Sequence, residues 1–135
     1  MTTIPQTAAT GYFAALAGEQ FIVLTTYRAS GTPVPTTVWF AEAGGKLYIT
    51  TNVNLKKVGR IRANPAVQVA ASDQVGNLRG TALAAQARVL EPAEFGPAEA
   101  ALRAKYGQVY VTMTGQMDAT QPPNSRIFLE VTPPC

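Results

Sequence analysis

Runs of apolar residues along the chain predict a structure built mainly from β-strands. Seven segments carry the β-branched and aromatic residues that favour strands. They are residues 21–27, 34–41, 46–51, 66–72, 81–91, 110–114 and 126–132. Residues 21–27 are apolar at nearly every position, which is typical of a strand covered on both faces. Pro35 cannot donate a ladder hydrogen bond, so we expect an unpaired or irregular stretch at the start of its strand.

Between these strands, the pattern predicts two or three short helices. Residues 9–18 form the first, and Gly18 follows its apolar stretch as a stop. A second helix is expected between an N-cap at Asn54 and the Asn64-Pro65 pair, because the residue before a proline avoids the helical region. The third covers residues 97–106, with a proline at its first position. Residues 116–125 are expected to form a loop.

The number and order of these elements predict one domain over residues 1–135. Six or seven strands with hairpin-length turns favour a closed or nearly closed antiparallel barrel of the mainly β (α+β) class. A parallel α/β sheet would need a helix after each strand, and the pattern does not provide those helices.

Residue usage then narrows the chemistry. The sequence has no histidine, and its only cysteine is Cys135, the last residue. Zinc sites of Cys and His, Ser-His-Asp and Cys-His catalytic systems and haem ligation by histidine are therefore not expected. No apolar run reaches the length of a membrane span, and the start "MTTIPQTAATGYF" does not resemble a secretory signal. These features predict a cytoplasmic protein whose chemistry, if it is an enzyme, comes from a bound cofactor.

One segment, "YITTNVNLKKVGRIRANP", indicates an anion site. Hydroxyl and amide side chains end a strand, and a helix with four basic residues and no acid follows. The donors are Thr50, Thr51 and Asn52, and the charges are Lys56, Lys57, Arg60 and Arg62. Hydroxyls, helix N-terminal N–H groups and lysines together bind phosphate well. The net charge of +3 agrees with an anionic partner. A solvated basic face on an amphipathic helix is the alternative.

Several motifs in order along residues 20–133 resemble one known family. They are "GTPVPTTVWF", "GGKLYITT", "KKVGRIRANPAVQV", "ARVLEP", "ALRAKYG" and "RIFLEVTPP". Together they resemble the split β-barrel flavin and deazaflavin proteins related to pyridoxamine 5′-phosphate oxidase. The likeness is strongest to the actinobacterial branch that binds the deazaflavin coenzyme F420. Ala85 departs from the pattern, because many relatives carry glycine there, and its methyl group would restrict a close approach of the ring.

The resemblance implies a homodimer with a cofactor in each groove at the subunit interface. It implies that Lys57 meets the cofactor phosphate, assisted by Thr50 and Thr51. The strand Pro35-Thr36-Thr37-Val38 would lie along the tricyclic ring. Lys56 and Arg60, with Arg62 as a further candidate, would meet the acidic tail that distinguishes F420 from FMN. The implied reaction is hydride transfer from reduced deazaflavin to an unsaturated small-molecule acceptor, with no residue assigned as the general acid.

Three alternatives remain open at this point. The same barrel could be an FMN-dependent oxidoreductase, with the basic residues serving one phosphate. It could also carry or sequester a cofactor without turning over an acceptor. A nucleic-acid-binding barrel would need aromatic residues exposed on one sheet face. Most aromatics here fall in apolar runs that predict burial, so no nucleic-acid partner is expected. Trp39, Tyr106 and Tyr110 are predicted to serve packing before the pocket.

Overall fold

The computed structural model describes residues 11–53, 55–122 and 125–134, which form a seven-stranded antiparallel sheet and three α-helices. The strands are Phe21–Tyr27 (β1), Pro33–Trp39 (β2), Ala41–Ala43 (β3), Lys46–Asn52 (β4), Ala66–Ser72 (β5), Leu83–Val89 (β6) and Arg126–Thr132 (β7). The helices are Lys56–Ala63 (α1), Phe95–Tyr106 (α2) and Gln108–Thr120 (α3). The predicted fold class is confirmed.

The order of strands leaves an opening between two of them. The order is β2-β1-β5-β6-β7-β4-β3, and within the described residues no ladder joins β2 to β4. Side chains from both of these strands and from the four between them meet in one apolar cluster, so the sheet curls around it into a half-barrel. We call the gap between β2 and β4 the seam. Because β2 pairs only with β1, Pro35 lies in an edge strand, where a missing N–H is tolerated.

Two apolar clusters hold the fold together. The first fills the curl of the sheet and includes Leu24, Leu47 and Leu129. Helix α1 adds Ile61 to this cluster, so the apolar face of the basic helix packs inward as predicted. The second cluster lies between α2 and the neighbouring strands, around Leu102 and other side chains. The basic segment is therefore fixed between a strand end and a packed helix.

Helix α3 overturns the strand predicted at residues 110–114. Its β-branched composition favoured a strand, but the chain is helical from Gln108 to Thr120, and this helix also takes up half of the predicted loop at 116–125. A helix places Tyr110 and Thr114 one turn apart, and both are buried. The Thr114 hydroxyl donates to the Tyr110 carbonyl at 2.9 Å, so it is satisfied inside the helix.

Other boundaries differ by smaller amounts. The predicted strand 34–41 is divided at Phe40 into β2 and β3, and helix α2 begins at Phe95 instead of residue 97. Pro97 is tolerated as the third residue of α2 because the N–H groups of a first turn have no partner within the helix. Of the predicted helix 9–18, only a single 3₁₀ turn at Ala14–Leu16 occurs among the described residues, which begin at residue 11. Asn54 lies outside the described residues, and Leu55 holds the N-cap position of α1 without a capping side chain.

Candidate functional site

A pocket of about 310 Å³ lies at the seam of the half-barrel. Strands β2 and β4 form two of its sides, and α1, α3 and the loop after β5 complete it. We call it the basic pocket. Its lining residues are Phe21, Thr37, Val38, Trp39, Thr50, Thr51, Asn52, Leu55, Lys57, Gln74, Met113 and Met117. Six of the ten residues predicted to bind a cofactor are therefore brought together here. They are Thr37, Val38, Thr50, Thr51, Asn52 and Lys57.

Two polar groups in this pocket are buried and have no partner in the described part of the chain. The Thr51 hydroxyl oxygen is fully buried and makes no hydrogen bond. Lys57 is only 8% exposed and makes no hydrogen bond or ion pair with another described residue. Burial, with a smaller contribution from the nearby Arg60 charge, lowers the pKa of Lys57. Buried polar groups are normally paired, so this hydroxyl and this ammonium group are suited to an anionic ligand.

The neighbouring donors are already partly engaged within the protein. The Thr50 hydroxyl donates to the carbonyl of Ile127 at 3.2 Å. The Asn52 amide donates to the Gln121 side chain at 3.1 Å. These contacts fix the end of β4 against the start of β7 and its preceding loop. Thr51 thus has the hydroxyl that remains available, while Thr50 and Asn52 shape the pocket around it.

The remaining basic residues lie outside the lining of this pocket. Lys56 is exposed at the start of α1. Arg60 donates from Nε to the hydroxyl of the buried Thr26 at 2.7 Å, which orients its guanidinium group over the end of β1. Lys56 and Arg60 therefore do not line the pocket that Lys57 lines, and their role in binding an acidic tail stays a prediction.

A second pocket, which is lined by uncharged residues, continues along the outer face of β1 and β2. Its volume is about 500 Å³, and Thr37 lines both pockets. Its lining residues are Val23, Thr25, Pro35, Thr36, Thr37, Gln68, Val69, Ala70, Val75, Gly76, Leu78 and Ala82, none of which carries a charge. We call it the apolar pocket. Two predicted ring-binding residues, Pro35 and Thr36, lie in this pocket, so the predicted site extends over both.

The loop after β5 covers part of this groove in a fixed conformation. The carboxylate of Asp73 accepts hydrogen bonds from the backbone N–H groups of Val75 (3.0 Å) and Asn77 (2.9 Å), and from the Asn77 side chain (2.9 Å). The bonds from Asn77 are the main reason that the pKa of Asp73 lies below its ordinary value. Gly76 has φ +92°, and an added Cβ would lie 2.9 Å from the Thr37 hydroxyl oxygen. The loop therefore rests against the residue shared by the two pockets.

Sequence reasoning did not assign the apolar wall of the basic pocket. Met113 and Met117 come from α3, four residues apart and on one helix face, but the segment was predicted as strand and loop. Their spacing would have indicated a shared face if the helix had been recognised. Trp39 lines the same pocket and also stacks on Tyr106, so it serves both packing and the pocket.

One expectation about β6, the effect of Ala85 on the approach of the ring, is corrected. Ala85 is 3% exposed and belongs to the inner core cluster, so its methyl group does not approach the groove. Arg88 is engaged within its own chain, with Nε 3.0 Å from the buried Glu130 and NH2 2.7 Å from Glu94. These contacts give Arg88 a structural role on the outside of the sheet.

Within the described residues, no helix is long and apolar enough to cross a membrane. The same residues hold no group of three or more His, Cys, Asp or Glu side chains that could bind a metal ion. The fold and the groove thus define a split-barrel protein with a basic pocket at its open seam.

Comparison with known proteins gives the family. A family model described as pyridoxamine 5′-phosphate oxidase matches residues 11–133, and the chain belongs to this family. No curated protein shows a significant match to the sequence. Membership of the F420-binding branch is not established by these comparisons.

Solved structures with the same fold have different reported roles. A pyridoxamine 5′-phosphate oxidase-related, FMN binding protein from Nostoc punctiforme is 15% identical, with a TM-score of 0.60 over 88% of this chain and 73% of that one. HutZ, the heme storage protein from Vibrio cholerae, is 12% identical, with a TM-score of 0.66 over 87% and 84%. A conserved hypothetical protein from Mycobacterium tuberculosis is 21% identical, with a TM-score of 0.64 over 87% and 75%. At these identities, the likeness supports the fold alone.

Proposed function

We propose that the protein binds a phosphate-bearing flavin or deazaflavin and uses it in the two-electron reduction of a small unsaturated molecule. The observation that carries this proposal is that one pocket is lined both by Thr51, whose hydroxyl has no hydrogen-bond partner, and by Lys57, whose side chain is largely buried. An anionic ligand in this pocket would accept a hydrogen bond from the Lys57 ammonium group. Leu55, at the N-cap of α1, supplies no side-chain acceptor to the first turn, which leaves room for an anion at the helix start.

The shape of the groove agrees with the rest of such a cofactor. From the basic pocket, the groove passes Thr37 and enters the uncharged apolar pocket beside Pro35 and Thr36. A phosphate at Lys57 would leave an uncharged tricyclic ring along β2. The edge position of β2 leaves backbone groups on its outer side for the polar rim of the ring. When bound, the cofactor supplies the hydride chemistry, and the protein supplies binding, orientation and exclusion of water.

The identity of the cofactor is the finer part of the proposal. F420 is favoured if Lys56 and Arg60, which lie on α1 outside both pockets, meet its acidic tail. FMN is supported by the fold shared with the FMN binding protein from Nostoc punctiforme. Haem is a weaker candidate, because the sequence has no histidine, the ligand most often used to hold haem iron.

Fluorescence titration of cofactor-free protein with F420 and with FMN tests the proposal. We expect saturable binding of at least one cofactor, and binding of neither would refute it. Replacing Lys56 and Arg60 together with glutamine should weaken F420 more than FMN if they meet the tail. Equal losses would show that the tail is not bound there. A bound cofactor without turnover of any acceptor would identify a carrier protein.

The proposal includes a homodimer that completes the groove. Beside the apolar pocket, Val75 is 79% exposed and Leu78 is 60% exposed, which is unusual for apolar side chains at the rim of a ligand site. A second copy packed over this rim would bury them. Light scattering after size exclusion should give twice the chain mass of 14.3 kDa. A monomer that binds cofactor with full affinity would refute this part.

A further inference from the structure

The end of β2 is held by the last residues of α2. The rings of Trp39 and Tyr106 are stacked, with centroids 4.3 Å apart and an angle of 14° between their planes. The Tyr106 hydroxyl lies 2.6 Å from the carbonyl of Gln20 and 2.9 Å from that of Phe40. It also accepts a hydrogen bond from the Phe40 N–H at 3.1 Å. The Tyr106 side chain therefore contacts both the indole ring of Trp39 and the backbone of the next residue, Phe40.

Lys105 strengthens the same attachment. Its ammonium group donates to the carbonyls of Glu19 at 2.6 Å and Phe40 at 2.8 Å. It also lies 3.5 Å from the centroid of the Phe40 ring, within range of a cation–π contact. Two consecutive residues of α2 thus fix the strand end from different directions.

This attachment matters because, in the part of the chain that the structure describes, β2 is hydrogen-bonded to a strand on one side only. Trp39 is its last residue, lies at the seam and lines the basic pocket. Without a second strand beside it, the indole ring depends on contacts from other elements for a fixed position. Burial raises the pKa of Tyr106 to about 12, so its hydroxyl keeps its proton and these contacts persist over the usual pH range.

We propose that Tyr106 is the positioning residue that holds the Trp39 indole as a fixed wall of the basic pocket. The consequence for ligand binding rests on the proposed function. Because the ring fixes one side of the seam, a bound cofactor enters in one orientation and loses less freedom on binding. A stacked aromatic pair contributes a free energy that corresponds to about a two- to tenfold change in affinity.

The first experiment needs no ligand. Trp39 is the only tryptophan in the sequence, so its emission and its quenching by acrylamide report on this one ring. In Tyr106→Leu, which removes the stack, we expect emission at longer wavelength and stronger quenching. Tyr106→Phe keeps the stack and loses only the hydroxyl contacts with the Gln20 and Phe40 backbone, so we expect a smaller change in both signals than in Tyr106→Leu. The control Tyr12→Leu removes a tyrosine that packs on Phe13 and should leave the Trp39 signal unchanged. Unchanged emission and quenching in Tyr106→Leu would overturn the proposal.

The second experiment measures FMN affinity by quenching of FMN fluorescence. Tyr106→Leu should raise the Kd about two- to tenfold, and Tyr106→Phe and Tyr12→Leu less than twofold. Trp39→Leu should weaken binding as much as Tyr106→Leu, and the double variant should bind no more weakly than either, since both act through the same ring. Additive losses would overturn the proposal.

The two experiments separate this proposal from the proposed function. If the unmodified protein binds no FMN and no F420, the proposed function fails. The ligand-free fluorescence then decides alone whether Tyr106 holds Trp39. If Tyr106→Leu does not fold, the Kd of Trp39→Leu for FMN tests whether the indole ring acts as a wall of the pocket. A Kd for Trp39→Leu equal to that of the unmodified protein would overturn the role of the indole as a wall.

Discussion

Replacing Lys57 with methionine tests the basic pocket in two opposite directions. Methionine keeps a long unbranched side chain and removes the charge. In the ligand-free protein, the Lys57 side chain is largely buried and its ammonium group has no partner among the described residues. A buried donor without a partner typically costs about 1–3 kcal/mol. Because Lys57 lines a pocket, we expect the low end of this range, and Lys57→Met should raise the free energy of unfolding by about 1 kcal/mol.

Ligand binding should change in the other direction. A hydrogen bond to a charged group contributes about 1.5–3 kcal/mol, so its loss should raise the Kd for the cofactor about 10- to 150-fold. The variant would therefore be more stable than the unmodified protein without ligand and gain less stability from added ligand. Such an exchange of stability for function is common where a binding site holds an unpaired charge.

Urea denaturation with and without saturating FMN or F420 measures both effects on one sample. Lys56→Met is the matched control, because it removes the same charge from the adjacent, exposed position. The control should change the free energy of unfolding by less than about 0.5 kcal/mol. A ligand-free Lys57→Met protein that is clearly less stable would show that the ammonium group is well solvated or paired. An unchanged Kd would remove Lys57 from the phosphate site.

Three further predictions concern pH, the loop after β5 and helix α3. Burial lowers the pKa of Lys57, so the unfolded chain holds the Lys57 proton more tightly than the folded chain does. As pH rises from the lowered pKa towards the ordinary value, the stability of the ligand-free protein should therefore increase. Over the same range, cofactor affinity should fall as the ammonium group loses its charge. Lys57→Arg should abolish the fall in affinity. Gly76→Ala should cost more stability than Gly31→Ala, because both have similar positive φ (+92° and +91°) but only the first places a Cβ against Thr37; equal losses measured by urea denaturation would contradict this contact. Arg126→Met should speed amide hydrogen exchange throughout α3, because its guanidinium group binds acidic side chains of both α2 and α3; unchanged exchange would show that other contacts hold the helix.

The sequence predicted best what is decided locally. The strands at residues 21–27, 66–72 and 126–132 have the predicted bounds, since each carries its own dense apolar pattern. The placement of Thr51 and Lys57 in one pocket was also accessible, because a strand end and the helix that follows it are close in sequence and therefore close in space. Whether they bind a phosphate stays a prediction.

The rest of the pocket wall, formed by Trp39, Met113 and Met117, depends on contacts between residues that are far apart in the sequence. Trp39 lines the same pocket as Lys57 only because the seven strands curl and leave β2 unpaired with β4. Met113 and Met117 reach the pocket because α3 is a helix, although its β-branched residues favour a strand when considered alone. Tertiary contacts outweigh that preference, with Tyr110 fully buried in the cluster beneath α2.

The seam explains why the hydrogen-bond donors on β4 and the indole ring of Trp39 on β2 must be held in place differently. On the β4 side, hydrogen bonds of the β4–β7 ladder fix the donors, and the sequence shows them as one compact motif. On the β2 side, the described residues provide no second strand, so the indole ring of Trp39 relies on Tyr106, which lies 67 positions further along the chain. A change in α2 can therefore alter the pocket without touching any residue of the basic motif. If Tyr106→Leu binds cofactor with an unchanged Kd, Tyr106 does not fix the pocket wall, and the seam is shaped by the ligand on binding instead of before it.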